Sequence, residues 1–166
     1  MAGYGDDTDF EAWMADNGYE LPEGALEPAI LRQRGSNYID TLYGARFTGV
    51  PTDGVTQERA WPRTGATAFR TALDTDLIPL AVIQASYFAA LQEANQPGSL
   101  AVVTSAASAV KREKVDVIET EYFAGSGDAT ADATLRLSSV EGLLAPFLIP
   151  ASVNGPAIWA IGTPCP

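Results

Sequence analysis

A mainly α fold is expected: a small helical bundle with a minor β-hairpin or strand element and an extended C-terminal arm. Three features of the 166-residue sequence point to it. Apolar residues recur at helical spacing in three stretches before residue 96 and in a fourth near 143. One stretch, 115–122, alternates for much of its length instead. From Gly142 to Pro166 no charged residue occurs, and Pro150, Pro156, Pro164 and Pro166 forbid a continuous helix. The division expected is a helical domain over 1–149, with a long loop at 45–76, and an uncharged arm over 150–166.

Thr8-Asp9-Phe10-Glu11 has capping-box spacing, with Thr8 as the cap and Glu11 reaching back. Phe10, Trp13 and Met14 make one apolar stripe and Gly18 supplies a left-handed stop, which predicts a short helix over 9–17. A second pattern starts near Glu23 or Leu26 and runs to Tyr43. It carries Ile30, Leu31, Tyr38, Ile39 and Leu42 at helical intervals, with Gly44 as its stop. Gly35 costs about 1 kcal/mol against Ala in mid-helix, which allows a kink there.

Residues 45–76 are turn-rich, with a helical turn expected near 56–60; so long a loop in a compact domain tends to be functional. Within it, the stretch Gln57 to Arg63 makes a stiff corner. Pro62 ends any helix, Trp61 needs burial and an acceptor for its indole N–H, and Arg63 points outward. The plainest reading of this corner is a packed turn without chemistry.

The third helix opens on Pro79. Val82, Ile83, Tyr87, Phe88, Ala90 and Leu91 cover so wide a face that this helix is expected at the centre. Ala81, Ala85, Ala89 and Ala90 let neighbours approach closely, and Pro97-Gly98 closes the segment. Residues 110–122 read as one or two strands, with Glu113, Glu119 and Glu121 set for cross-strand pairing with Lys111, Arg112 and Lys114. Residues 124–133 read as a flexible loop. Ser138 to Glu141 is another capping box, opening a last helix that carries Leu143, Leu144, Phe147 and Leu148 and stops at Pro150.

Charge narrows the function classes. Lys plus Arg number 10 against 21 Asp plus Glu, a net charge of -11 that repels nucleic acid and anionic membrane. The sole thiol is Cys165, so no internal disulfide forms. The longest apolar run, 140–149, contains Glu141 and is about half a bilayer span. No basic segment precedes an apolar run at the N-terminus, so a soluble, non-membrane protein without a secretory signal is expected.

The chain has no His, which removes the commonest neutral-pH base. Gly3-Tyr4-Gly5 leads into acidic residues, so it is no nucleotide fingerprint. Asp6, Asp7 and Asp9 lack EF-hand spacing and read as solvated rather than as Ca2+ ligands. No catalytic residue, cofactor or metal site is expected, and the protein is not read as an enzyme. Lys111-Arg112-Lys114, with Tyr122 and Phe123 nearby, admits a weak single-strand-binding surface. The plainer reading is a charged sheet edge that discourages aggregation. Ile158, Trp159 and Ile161 make the tail too apolar to be solvated, so it either packs on its own domain or lodges in a partner.

Four signals, in order and at their spacing, resemble the head–tail connector (adaptor) proteins of tailed bacteriophages. They are the helix with its glycine stop at 9–18, the corner Gln57 to Arg63 after Arg46-Phe47-Thr48-Gly49, the segment Val110-Lys111-Arg112-Glu113-Lys114-Val115 through Glu121-Tyr122, and Leu143-Leu144-Ala145-Pro146-Phe147-Leu148. The resemblance spans about residues 8–149. Some members carry the label of a single-stranded-DNA-binding protein, after a primosomal replication protein.

The resemblance implies a structural virion protein in the neck between capsid and tail. Members assemble with themselves as a ring, commonly of twelve copies, under the portal protein, and extend the DNA channel toward a stopper or tail-completion protein. DNA would pass through the lumen without specific binding. The chain departs from the pattern at Asp116, where a Gly is expected after Lys114-Val115. On this reading Ile158, Trp159 and Ile161 form a portal-binding arm, and Trp61, Pro62 and Arg63 are a structural corner. The alternative is a single-stranded-DNA-binding replication protein, which would need a basic surface.

Overall fold

The computed structural model describes residues 2–101, 112–115, 118–121 and 135–149. The expected arm at 150–166 and the loop at 124–133 lie outside the described residues. The fold is mainly α, as the periodicities predict: α1 (Asp7–Asp16), α2 (Pro28–Tyr43), α3 (Leu80–Asn95) and α4 (Ser138–Leu144). Among the described residues there are also three short antiparallel pairs: β1 (Val50–Pro51) with β2 (Arg63–Thr64), β3 (Thr67–Ala68) with β4 (Thr71–Ala72), and β5 (Arg112–Val115) with β6 (Ile118–Glu121). Among the described residues no helix is long and apolar enough to cross a membrane.

The apolar stripe of α1 does what its spacing predicts: Phe10, Trp13 and Met14 are buried. Its cap differs from the expected Thr8. The Asp6 carboxylate, from the residue just before the helix, accepts the Asp9 amide at 2.8 Å, and an anion there also suits the positive helix end. Gly18 follows with φ +72, the left-handed stop. Helix α2 opens on Pro28, whose missing amide costs nothing in the first turn. Its end is not a glycine stop, because Gly44 stays right-handed and the chain continues into a 3-10 turn, Gly44–Arg46.

Helix α3 is central, packed against both α2 and α4. Ala85, Ala89 and Ala90 are fully buried in it, and these small residues let α2 come close. Gly35 is the other half of that contact rather than a kink. Two apolar clusters lie along α3. One gathers Phe10, Trp13, Leu31, Tyr87 and Leu91 under the acidic α1. The other gathers Tyr43, Phe47, Trp61, Val82, Leu144 and Phe147 under the short strands.

Helix α4 has no capping box, since Leu137 sits at its N-cap without a side-chain bond. It also ends before Pro150, giving way after Leu144 to a 3-10 turn, Ala145–Phe147. Pro146 explains the early stop, because it has no amide to donate back along an α-helix.

The stretch 45–76 is no open loop. It holds β1 to β4 and a 3-10 turn at Gly54–Thr56, in place of the helical turn expected near 56–60. The corner is its anchor, and Arg63 does not point outward. Its side chain is only 5 % exposed and donates to the carbonyls of Gly49 at 2.7 Å, Thr48 at 2.9 Å and Ala60 at 3.0 Å. Chain reversals leave such carbonyls without ladder partners, and a guanidinium has enough donors to serve several.

Trp61 is buried edge-to-face against Phe47 and Phe147, with centroids 5.5 and 6.0 Å away. Ring packing sets its pose, and its indole N–H lacks the acceptor expected for it. Pro62 is half-buried beside it. The N-terminal strap closes over this corner. The Tyr4 hydroxyl donates to Asp40 at 2.5 Å and accepts the Trp61 amide at 3.2 Å. Burial, with the Asp40 carboxylate beside it, pushes the Tyr4 hydroxyl far above its ordinary pKa.

Candidate functional site

The β3–β4 hairpin carries the most unusual local geometry in the described residues. Its register pairs Thr67 with Ala72 and Ala68 with Thr71, leaving a two-residue turn, Phe69-Arg70. Both turn residues have positive φ, +51 and +66. Two-residue hairpin turns of this hand favour Asn-Gly, because a side chain in the left-handed region costs about 1–2 kcal/mol per residue. Here the positions hold an aromatic ring and a guanidinium. Phe69 is 81 % exposed and Arg70 is exposed beside it.

The base of the hairpin is fixed while its tip projects. Ala66 and Ala68 are buried, and the Leu73 amide donates to Ala66 at 2.9 Å. The Thr48 hydroxyl accepts the Thr67 amide at 2.9 Å and donates to the Thr67 carbonyl at 3.0 Å. β3 also rests on the 3-10 turn Ala145–Phe147. Strain held by a rigid base and displayed to solvent is a recurring mark of ligand-contact sites.

Few cations are free to meet a phosphate. Arg32 is buried, bound to Asp7 at 2.7 Å and to the Gly5 carbonyl at 2.6 Å. Arg59 is held by Asp40 at 3.2 Å, Asn37 at 2.7 Å and the Ala2 carbonyl at 2.9 Å. Arg63 is spent on the corner carbonyls, and burial lowers its pKa. Arg34 meets buried Glu93 at 2.6 Å, and Arg136 meets Glu141 at 2.9 Å. Burial alone would push the Glu93 carboxyl up. The Gly98 amide, Arg34 and the Leu100 amide outweigh it and hold Glu93 below the usual carboxylate range. Among the described residues, Arg46 and Arg70 remain without a carboxylate or carbonyl partner.

In the backbone register of β5 and β6, Arg112 stands opposite Glu121 and Lys114 opposite Glu119. Lys111, Tyr122 and Phe123 lie outside the described residues, as do Ile158, Trp159 and Ile161. The structure brings Trp61, Pro62 and Arg63 together as a packed corner. Sequence reasoning passed over Phe69 and Arg70, since no Asn-Gly marks their turn. The available signal was a lone large apolar residue, Phe69, within 62–72.

The fold and this turn define a small, mainly α domain with a projecting aromatic–arginine hairpin. Over residues 3–161 the chain matches the family described as "Putative DnaT-like ssDNA binding protein", and it belongs to that family. No curated protein and no solved structure matches it.

The family match corrects the head–tail adaptor reading. It names single-stranded DNA and gives no support to a virion connector, a ring under a portal or a place in the neck. The portal-binding role of Ile158, Trp159 and Ile161 loses the context of that reading, and the residues themselves lie outside the described ones. The adaptor reading rests on the four-segment resemblance, and net acidity weighs against nucleic acid only as a whole-molecule average. Net charge is a sum over the surface, whereas a contact depends on the groups displayed at one place.

Proposed function

We propose that the protein binds single-stranded DNA through the tip of the β3–β4 hairpin. The observation that carries this reading is the exposed Phe69 ring, held in a left-handed turn next to Arg70. Every base has a π-face, so an aromatic platform contributes about 1–3 kcal/mol per stacked base with little sequence preference. In a duplex those faces are already stacked, which favours the single strand. Arg70, exposed beside Phe69, supplies a cation for the adjoining phosphate on this reading. The family description, which names single-stranded DNA, supports the same ligand.

The charge of -11 sets the character of the binding. Stacking, rather than a continuous basic track, supplies most of the affinity. Binding is accordingly modest, and its salt dependence is shallow, about 0.7 in log–log slope for each phosphate neutralised on a single strand. Fluorescence anisotropy of a labelled oligothymidylate at low salt tests this. Wild-type protein binds, and Phe69→Ala weakens binding by about tenfold, the equivalent of about 1.4 kcal/mol of stacking. Equal affinity of the two proteins would refute the reading.

A further inference from the structure

We infer that a cavity beside the base of the hairpin seats a phosphate of the same strand, with Arg46 as its principal contact. This rests on the single-stranded-DNA reading above and adds a second contact to it. The cavity has a volume of about 360 Å3, and its walls include Tyr43, Arg46, Arg136, Glu141, Leu148 and Ile149. That is within the size range of small-ligand pockets, which begins at about 300 Å3.

Three observations carry the assignment. The first is local charge. Arg46 and Arg136 against Glu141 give the cavity a net positive sign on a protein whose total is -11. A small anion is the ligand such a reversal selects.

The second is the way the cations are held. The Arg46 guanidinium lies 5.7 Å from the centroid of the buried Tyr43 ring, and its main-chain carbonyl accepts the Ile149 amide at 2.7 Å. Its backbone is thus fixed, while the exposed guanidinium rests against that ring and is not neutralised by a carboxylate among the described residues. Arg136 meets Glu141 at 2.9 Å, and the Tyr43 hydroxyl donates to that same carboxylate oxygen at 3.5 Å. Glu141 is thus an anion of the protein already paired with Arg136 at the rim, and a phosphate entering beside Arg46 competes with it for Arg136.

The third is continuity with the hairpin. Thr48 donates its amide to the Phe147 carbonyl at 2.9 Å and grips Thr67 through its hydroxyl. Phe47, next to it, bridges to Leu148 of the cavity wall. Tip and cavity are built on one rigid strip, so a strand stacked on Phe69 has a fixed neighbour for its backbone. Ile149, 54 % exposed, gives the sugar an apolar surface there.

The test is the salt dependence of oligothymidylate binding for the full-length protein and three variants, each checked by thermal melting. Arg46→Gln weakens binding and lowers the log–log salt slope by about 0.7, one phosphate on a single strand. Glu141→Gln releases Arg136, so binding tightens and the slope steepens. Phe69→Ala weakens binding and leaves the slope unchanged. Wild-type affinity and slope in Arg46→Gln would overturn the cavity contact while leaving the hairpin reading intact. Unchanged binding in Phe69→Ala together with loss in Arg46→Gln would remove the hairpin and keep the cavity. Absence of binding by the wild-type protein overturns both. If Arg46→Gln does not fold, Glu141→Gln decides alone, and binding no tighter than wild type overturns the inference.

Discussion

Gly35 of α2 lies against the main-chain carbonyl of Ser86 in α3, leaving no room for a methyl group between the two helices. A Cβ at Gly35 would collide with that oxygen and come within 2.7 Å of the Ala90 nitrogen. Neither backbone can give way without moving a helix. Gly35→Ala is expected to destabilise the fold by about 2–3 kcal/mol through overpacking. The contrasting site is Gly142 in α4, where a Cβ would meet nothing within 4 Å. There the same substitution is expected to stabilise by about 1 kcal/mol, the helix propensity of Ala over Gly. Urea unfolding of the two variants checks both signs.

Arg63 gives a second prediction. Lysine keeps the charge but cannot reach the carbonyls of Gly49, Thr48 and Ala60 from one planar fork. Arg63→Lys is expected to cost on the order of 2–3 kcal/mol, through buried carbonyls left unpaired. A loss under about 0.5 kcal/mol, typical of a surface substitution, would show that the corner does not depend on it.

The Glu93 carboxyl, held below its ordinary range by the Gly98 and Leu100 amides and Arg34, predicts an acid-sensitive fold. A carboxylate with a depressed folded pKa contributes stability that is present above its unfolded value, about 4.3 for Glu, and lost as pH falls through the folded value. Glu93→Gln removes that contribution. Its melting temperature should lie below wild type at neutral pH, and the gap should narrow as pH drops under about 4. Parallel curves for the two proteins down to about pH 3 would contradict the assignment.

The hairpin turn predicts a trade between stability and binding. Replacing Phe69 and Arg70 by Asn and Gly supplies the residues this turn geometry prefers and relieves about 2 kcal/mol of left-handed strain. The double variant Phe69→Asn/Arg70→Gly should therefore melt at a higher temperature and lose affinity for oligothymidylate. A more stable protein that still binds like wild type would refute the hairpin as the binding element.

Much of the helical body is legible in the sequence, and the misreadings have a common cause. The stripe Phe10, Trp13, Met14 and the wide face of α3 are local patterns, and both are found where the spacing puts them. Gly35 reads as a kink because propensity describes an isolated helix, whereas its reason for being glycine is a residue 51 positions further on, Ser86. Arg63 reads as outward because charge favours water, yet carbonyls brought close only by folding engage every one of its guanidinium nitrogens. Phe69 and Arg70 break the turn rules instead of obeying them, so a reading built on those rules steps over the pair. The apolar tail lies outside the described residues, and its residues take no part in the site proposed.

Photo-cross-linking of a strand carrying 5-iododeoxyuridine, followed by mass spectrometry of the modified peptide, tests the central claim most directly. The base is expected to couple to Phe69, and Phe69→Ala should abolish that product. A cross-link confined to the acidic α1 face or to the 110–122 segment, with the hairpin unmodified, would contradict it.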